Sequence, residues 1–468
     1  MNSDVIGIIG AGPAGLAAGY TILNTGSELP ILLEQDSQVG GLSKTVEHKG
    51  FRCDIGGHRF FTKNPQVESL WKEVLPNDFL RRPRLSRIYY RGKYFHYPLR
   101  IINALVGLGP REGARIMASF VKAKLTPRSP EISFEDWVSN RFGFRLYSIF
   151  FRTYTEKLWG IPCTELSADW AAQRIRNLDL TKAVINALGI GGSGKIASLI
   201  DEFDYPRLGP GQMYEAMAAK CVDRGGKVLL RHRVVAVRHE KNKIVALDVV
   251  SPDGQLTVDV DMVVSTMPLD ELILRMRPEP PSEIRKAAMG LQYRSIITVN
   301  TMLDRPRTVP DTWLYLHAPE VLASRLQVYK NWSPELVPDS RFSSLGLEYF
   351  STEGDSLWSN TDTAFLEIAK KDLRELGLAK GNDIFDWFII RYRKAYPVYS
   401  DGYQQKVNML RSYLSQFKNL ECAGRYGQFR YNNMDHSIMT GMLAVRKLYG
   451  EPCDPWAVNA EGEYLEQR

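Results

Sequence analysis

Val5-Ile6-Gly7-Ile8-Ile9-Gly10-Ala11-Gly12-Pro13-Ala14-Gly15 decides the fold of this chain. Its first five residues are a short apolar run of the kind that forms a buried parallel strand. Three glycines follow at the spacing G-x-G-x-x-G, and Leu16 to Asn24 then reads as a helix. In a strand–turn–helix unit Gly10 permits the tight turn, Gly12 lets backbone approach a pyrophosphate, and Gly15 lets the helix pack closely on the strand. A diphosphate placed there meets the unpaired N–H groups at the positive end of the helix. A second strand, Ile31-Leu32-Leu33, ends at Glu34, whose carboxylate can accept hydrogen bonds from a ribose. The glycine triplet alone would be a weak signal. With its strand, helix and acid it predicts a bound dinucleotide.

Composition bounds the remainder. At 468 residues the chain is too long for one small core, so two or three domains are expected. A hydrophobic share of 44% against 24% charged is ordinary for a globular protein. The net charge of +7 suits an anionic ligand, but a nucleic-acid partner would call for a clustered basic stripe, and none is expected. The basic residues that do gather, Arg81, Arg82, Arg84, Arg87, Arg91 and Lys93, read equally as a solvated edge hairpin or as an anion funnel. Five cysteines without CxxC spacing argue against a disulfide framework and against a metal site. No apolar run is long enough to span a membrane, and no signal peptide is visible, so the expected location is the cytoplasm.

The expected fold class is α/β: a Rossmann-like nucleotide domain, an inserted helical domain and an antiparallel-sheet substrate domain. Residues 1–80, 200–270 and 415–455 are assigned to the first, 101–199 to the second, and 81–100 with 271–414 to the third. Within these, Lys227–Val250 reads as two strands turning at Glu240-Lys241-Asn242-Lys243. Arg91-Gly92-Lys93 reads as a hairpin turn, Asn360–Leu376 and Ser437–Tyr449 as helices.

Further motifs carry a resemblance. Gly40-Gly41-Leu42-Ser43 lies just past Glu34, Asp54-Ile55-Gly56-Gly57-His58 follows, and Ser265-Thr266-Met267-Pro268, Gly424-Arg425 and Asp435 come later. Together they resemble the FAD-dependent amine oxidase and protoporphyrinogen oxidase superfamily, which implies FAD as the cofactor. Within it the chain resembles UDP-galactopyranose mutases, especially the eukaryotic type. That likeness runs through Gly56–Phe61, Tyr94–Pro98, Phe134–Trp137, Lys157–Pro162, Gln173-Arg174, Trp313–Tyr315, Arg325, Asn331–Pro334, Tyr396-Pro397 and Gly424–Ser437.

The resemblance implies roles residue by residue. Arg174 and Arg325 would clamp a substrate diphosphate, and His58 would respond to the flavin's redox state. Tyr315, Tyr396 and Tyr431 would donate phenolic hydrogen bonds to the phosphates, while Tyr97 and Trp159 would line the nucleotide and sugar pocket. Gly10, Gly12, Ala14, Gly15, Glu34, Gly41, Leu42, Ser43, Gly57, His58, Val235, Gly424, Arg425 and Asp435 would hold FAD. Guanidinium forks suit phosphate, because they bind it in bidentate fashion and stay charged. The hydrophobic helix face around Phe150–Trp159 reads as core apart from Trp159. Arg100 stands where eukaryotic-type mutases carry a base-reading glutamine, which leaves the base open.

Two activities follow from the resemblance. The first is ring isomerisation of a nucleotide-sugar with reduced FAD as nucleophile, NAD(P)H being a candidate external reductant. The second is a redox enzyme, an FAD-dependent oxidase or dehydrogenase, since one fold hosts both chemistries. The sequence leaves the oligomeric state open.

Overall fold

A computed structural model describes residues 4–26, 28–99, 101–168 and 201–459. At its centre is a five-stranded, all-parallel sheet in which strand β1 (Val5–Ile9) is flanked by β2 (Leu29–Glu34) and by Met262–Ser265. Lys227–Leu230 and Leu420–Cys422 form its edges. Side chains alternate across the pleat. Ile6, Ile8, Leu32 and Val264 face three helices, Pro13–Thr25, Gly211–Asp223 and Met434–Leu448. Ile9, Leu33 and Val263 face the other way, onto a second sheet built from Arg233–Glu240, Lys243–Ser251, Gly254–Asp259 and Met276–Arg277. Both faces of the parallel sheet are therefore covered, which is why its strands read as continuous apolar runs.

The segment 227–250 differs from expectation. It contributes three strands, because the chain leaves the parallel sheet after Leu230 and enters the second sheet at Arg233. Arg231 takes a left-handed φ of 59° at this crossing. The Arg231 and His232 N–H groups donate to the carbonyls of Asp36 and Glu34, which fastens the crossing to the end of β2.

A seven-stranded sheet forms the second half of the molecule, in the order Ile384–Pro397, Tyr293–Leu303, Ser343–Ser351, Arg325–Val328, Trp313–Leu316, Ser86–Tyr90 and Lys93–His96. Every pairing is antiparallel except that of Trp313–Leu316 with Ser86–Tyr90. Arg91 and Gly92, both at positive φ, make the expected hairpin turn. One face of this sheet packs on the helix Asp362–Glu375. The other looks onto helices between Ile101 and Trp159, including a π-helical turn at Ser148–Arg152. Among the described residues no helix is long and apolar enough to cross a membrane.

The basic residues 81–93 are largely tied into this scaffold. Arg87 pairs with the buried Asp311 at 2.5 Å, Arg81 with Asp204 at 3.2 Å, and Arg82 donates to the Asn331 carbonyl. The hairpin itself carries Arg87, Arg91 and Lys93, whereas Arg81 and Arg82 lie on the strand Phe79–Pro83, paired with Glu202–Pro206. The five cysteines are all free thiols.

Candidate active site

The turn after β1 is built as its residues require. Gly10 has φ +99°, and a Cβ there would lie 2.3 Å from the Thr266 hydroxyl; at Gly15 it would lie 1.9 Å from the Gly10 carbonyl oxygen. Glu34 is buried and its carboxylate accepts from the N–H of Ala11 at 2.7 Å and of Asp36 at 2.9 Å. The acid thus fastens the glycine turn to the end of β2.

A cavity of about 420 Å³ starts at this turn. One end lies between Gly12-Pro13-Ala14 and Gly41-Leu42-Ser43, and passes Gly424, Arg425 and Asp435. It continues along the Gly56-Gly57-His58 loop into a chamber walled by Tyr97, Tyr154, Trp159, Trp313, Tyr315 and Tyr396. Gly57 must be glycine there, since a Cβ would fall 1.6 Å from the Trp313 ring. Among the described lining residues the only carboxylate is Asp435, against Arg59, Arg325 and Arg425.

Strand register builds the chamber's polar wall. Ile88, Tyr315, Arg325 and Glu348 are successive cross-strand partners, so their side chains share one face of the seven-stranded sheet. Arg325 forms an ion pair with Glu348 at 2.7 Å through Nε and donates from Nη2 to the Tyr396 hydroxyl at 2.9 Å. Tyr431 stacks on Tyr396 with centroids 5.4 Å apart, and Arg425 lies over both rings. Tyr97 stacks on Tyr315 at 4.2 Å. Burial pushes the Glu348 carboxyl up, and Arg325 opposes that shift.

His58 donates from Nε2 to the carbonyls of Ile55 at 2.9 Å and Leu42 at 3.1 Å, so Nδ1 is the bare nitrogen of the neutral ring. Burial holds its pKa down to about 4, and the charges of Arg425 and Arg325 act in the same direction. Beneath the same loop Asp54 is fully buried, accepting from the Tyr205 hydroxyl and from Thr45 Oγ1 at 2.8 Å. Burial pushes Asp54 up to about 7 against those two hydrogen bonds.

Of the residues expected at the site, Gly12, Ala14, Gly41, Leu42, Ser43, Gly57, His58, Tyr97, Trp159, Tyr315, Arg325, Tyr396, Gly424, Arg425, Tyr431 and Asp435 line this one cavity. Gly10, Gly15 and Glu34 shape the turn without lining it. Val235 does not line it either; it sits at a bulge between Val234 and Ala236, in a strand that belongs to the second sheet. Arg174 and Arg100 lie outside the described residues, as does Gly189–Lys195.

The structure also brings in residues with no assigned role. Arg59 lies over the Trp313 ring at 5.4 Å, and Tyr154 stacks on His317 at 4.7 Å. The core reading of Phe150–Trp159 describes Phe150 and Leu158, which belong to the hydrophobic core, but this face also meets the cavity. Phe150 and Leu158 are buried, yet both line the cavity together with Phe151 and Tyr154. Phe150, Tyr154 and Leu158 recur every fourth residue, so they share the helix face that lines the cavity. Trp313 was readable, because Trp313 and Tyr315 alternate onto one strand face.

The family model described as "Flavin containing amine oxidoreductase" matches residues 13–448. The chain belongs to that family. The residues present fit the flavin its members carry. At Gly12 a Cβ would meet only the Gly41 backbone, Cα at 3.8 Å and N at 4.0 Å, and the first turn of the adjoining helix holds no acid. A diphosphate is suited by that helix end and by Arg425, and a ring system by the Gly57-His58 wall.

Among solved structures this chain is similar to a reduced UDP-galactopyranose mutase, at 23% identity and TM-score 0.85 over 98% of each chain. It is also similar to a putrescine oxidase variant, at 15% identity and TM-score 0.64 over 96% of this chain and 99% of that one. An oxidoreductase from Methanosarcina mazei matches at 15% identity and TM-score 0.64, over 94% of this chain and all of the other. Likeness at these identities shows a shared fold. An inactive all-trans-retinol 13,14-reductase from Danio rerio is 47% identical over 55 residues, 12% of this chain and 9% of that protein. The chain thus matches only a small part of that relative's length.

Proposed function

We propose that this protein is an FAD-dependent enzyme that interconverts ring forms of a nucleotide-sugar, with the reduced flavin as its active form. The observation that carries the reading is the Tyr315–Arg325–Tyr396 cluster inside a cavity continuous with the glycine turns. At the chamber end the charged lining groups among the described residues are Arg59 and Arg325, with no carboxylate among the described lining residues there. Such a wall suits a diphosphate and disfavours a protonated amine.

A bound reduced flavin would supply a nucleophilic nitrogen. The chain's own residues account for the rest. Arg325, with its Nε edge held by Glu348, presents its remaining donors and the Tyr396 hydroxyl to a leaving diphosphate. Arg174 would join it as a second clamp. Holding the diphosphate beside the sugar makes its return effectively intramolecular. Aromatic walls exclude water that would otherwise hydrolyse an activated sugar. The neutral His58 ring, its Nε2 proton shared between two carbonyls, would orient the loop against the cofactor. Titration of the FAD-loaded protein with UDP, dTDP and GDP, followed by flavin fluorescence, tests the ligand class. Saturable binding that Arg325→Lys weakens supports it, and no binding to any of the three sinks it.

A second reading, a redox enzyme, is favoured by the family's name and by the putrescine oxidase neighbour. It requires stoichiometric oxidation of a substrate and reduction of an acceptor. The nucleotide-sugar reading requires neither.

A further inference from the structure

The outward side of the helix Pro110–Leu125 is unlike that of an ordinary surface helix. Its buried residues are Ile116 and Phe120. Away from them Ala114, Ala118, Val121 and Leu125 form an exposed stripe, with Val121 51% and Leu125 77% exposed. Arg111, Arg115 and Lys122 run alongside, all exposed. At 100° per residue the two rows share roughly one third of the helix circumference. The helix's single acid, Glu112, is bound to Arg145 and, at 3.5 Å, to Arg115. Neither Arg111 nor Lys122 has a carboxylate partner among the described residues.

We infer that this face seats on an anionic lipid surface. Soluble surface helices turn charged and polar residues outward, whereas here large aliphatic groups and unpaired cations face out together. That combination matches the boundary between lipid headgroups and acyl chains: cations meet phosphate groups while Val121 and Leu125 enter the apolar layer. The exposed apolar groups are aliphatic, whereas a nucleic-acid surface would present aromatic rings for stacking. Two aliphatic side chains alone hold a protein to a bilayer only marginally, so attachment depends on lipid charge as well. The chain's net charge of +7 has the required sign. This inference does not depend on the substrate reading.

The test is flotation of the full-length, FAD-loaded protein with phosphatidylcholine vesicles, with and without about 30% phosphatidylglycerol. The protein is expected to float with the anionic vesicles, to stay behind with the neutral ones, and to be released by high salt. The pairs Val121→Glu with Leu125→Glu and Arg111→Glu with Lys122→Glu are each expected to lower the bound fraction about tenfold. Flavin content and melting temperature, measured in parallel, confirm that both variants fold. No flotation at low salt, or flotation that neither pair alters, overturns the inference. Light scattering in which Val121→Glu with Leu125→Glu halves the particle mass would instead make this face a contact between copies. A gel shift with RNA that the same variants abolish, without vesicle binding, would make it a nucleic-acid surface. Either result also overturns it.

Discussion

Arg325 donates to the hydroxyl of Tyr396 across 2.9 Å, from a guanidinium that is itself almost fully buried. Glu348, the cross-strand register partner of Arg325, neutralises it from the far side at 2.7 Å. The arginine is thereby fixed in direction, so it needs little reorganisation when a phosphate arrives in front of it.

Breaking that pair from either end leaves a buried charge uncompensated. Arg325→Ala is expected to lower unfolding free energy by about 3–5 kcal/mol, and Glu348→Ala by a comparable amount, in urea denaturation. Arg325→Lys keeps the charge and loses the fork. It is expected to fold, and to bind nucleoside diphosphate about tenfold more weakly by fluorescence titration.

Gly57 and Trp313 share a space that holds only one of them with a side chain. Gly57→Ala is expected to displace the indole, loosen the chamber and reduce retained flavin well below one per chain, read from absorbance near the flavin band. Gly15→Ala, whose Cβ would meet the Gly10 carbonyl at 1.9 Å, is expected to yield flavin-free protein.

Two buried groups give stability opposite pH dependences. The folded pKa of Asp54 is raised to about 7, so the folded state binds the extra proton and stability falls as pH rises from the unfolded carboxylate value toward 7. His58 is depressed to about 4, so its contribution is present above its unfolded value and is lost as pH falls toward 4. In the overlapping window the two oppose each other. Asp54→Asn removes the first, so its melting temperature relative to wild type is expected to climb between about pH 4 and 7. A flat difference would contradict the assignment.

Lys157 places its ammonium on the carbonyls of Leu316, Ala318 and Val321, at 3.1, 2.8 and 2.5 Å. It ties the helix bearing Tyr154 and Trp159 to the loop that follows Tyr315. Lys157→Met is expected to cost about 2–3 kcal/mol in denaturation and to weaken nucleotide binding while flavin content stays near wild type.

The nucleotide half of the fold was legible because its signals are local. The Gly10–Gly15 turn, its strand and Glu34 fall within one strand–helix–strand unit, where spacing alone determines geometry. Glu348 was invisible, since nothing in a sequence pairs it with Arg325 until strand register is known. Tyr154 was hidden because the helix face that carries it reads as core, and Asp54 by burial that only the Tyr205 strand completes. Val235, expected at the cofactor by likeness alone, lies in the strand that the crossing at Arg231-His232 leads into the second sheet.

Turnover tests the central claim most directly. The FAD-loaded protein is reduced with dithionite, incubated anaerobically with UDP-galactofuranose and with related nucleotide-sugars, and the products are separated chromatographically. The account predicts that at least one nucleotide-sugar is converted to its ring isomer while the flavin stays reduced and no electron acceptor is consumed. An unchanged panel, together with acceptor-dependent oxidation of an amine or alicyclic substrate, would contradict it.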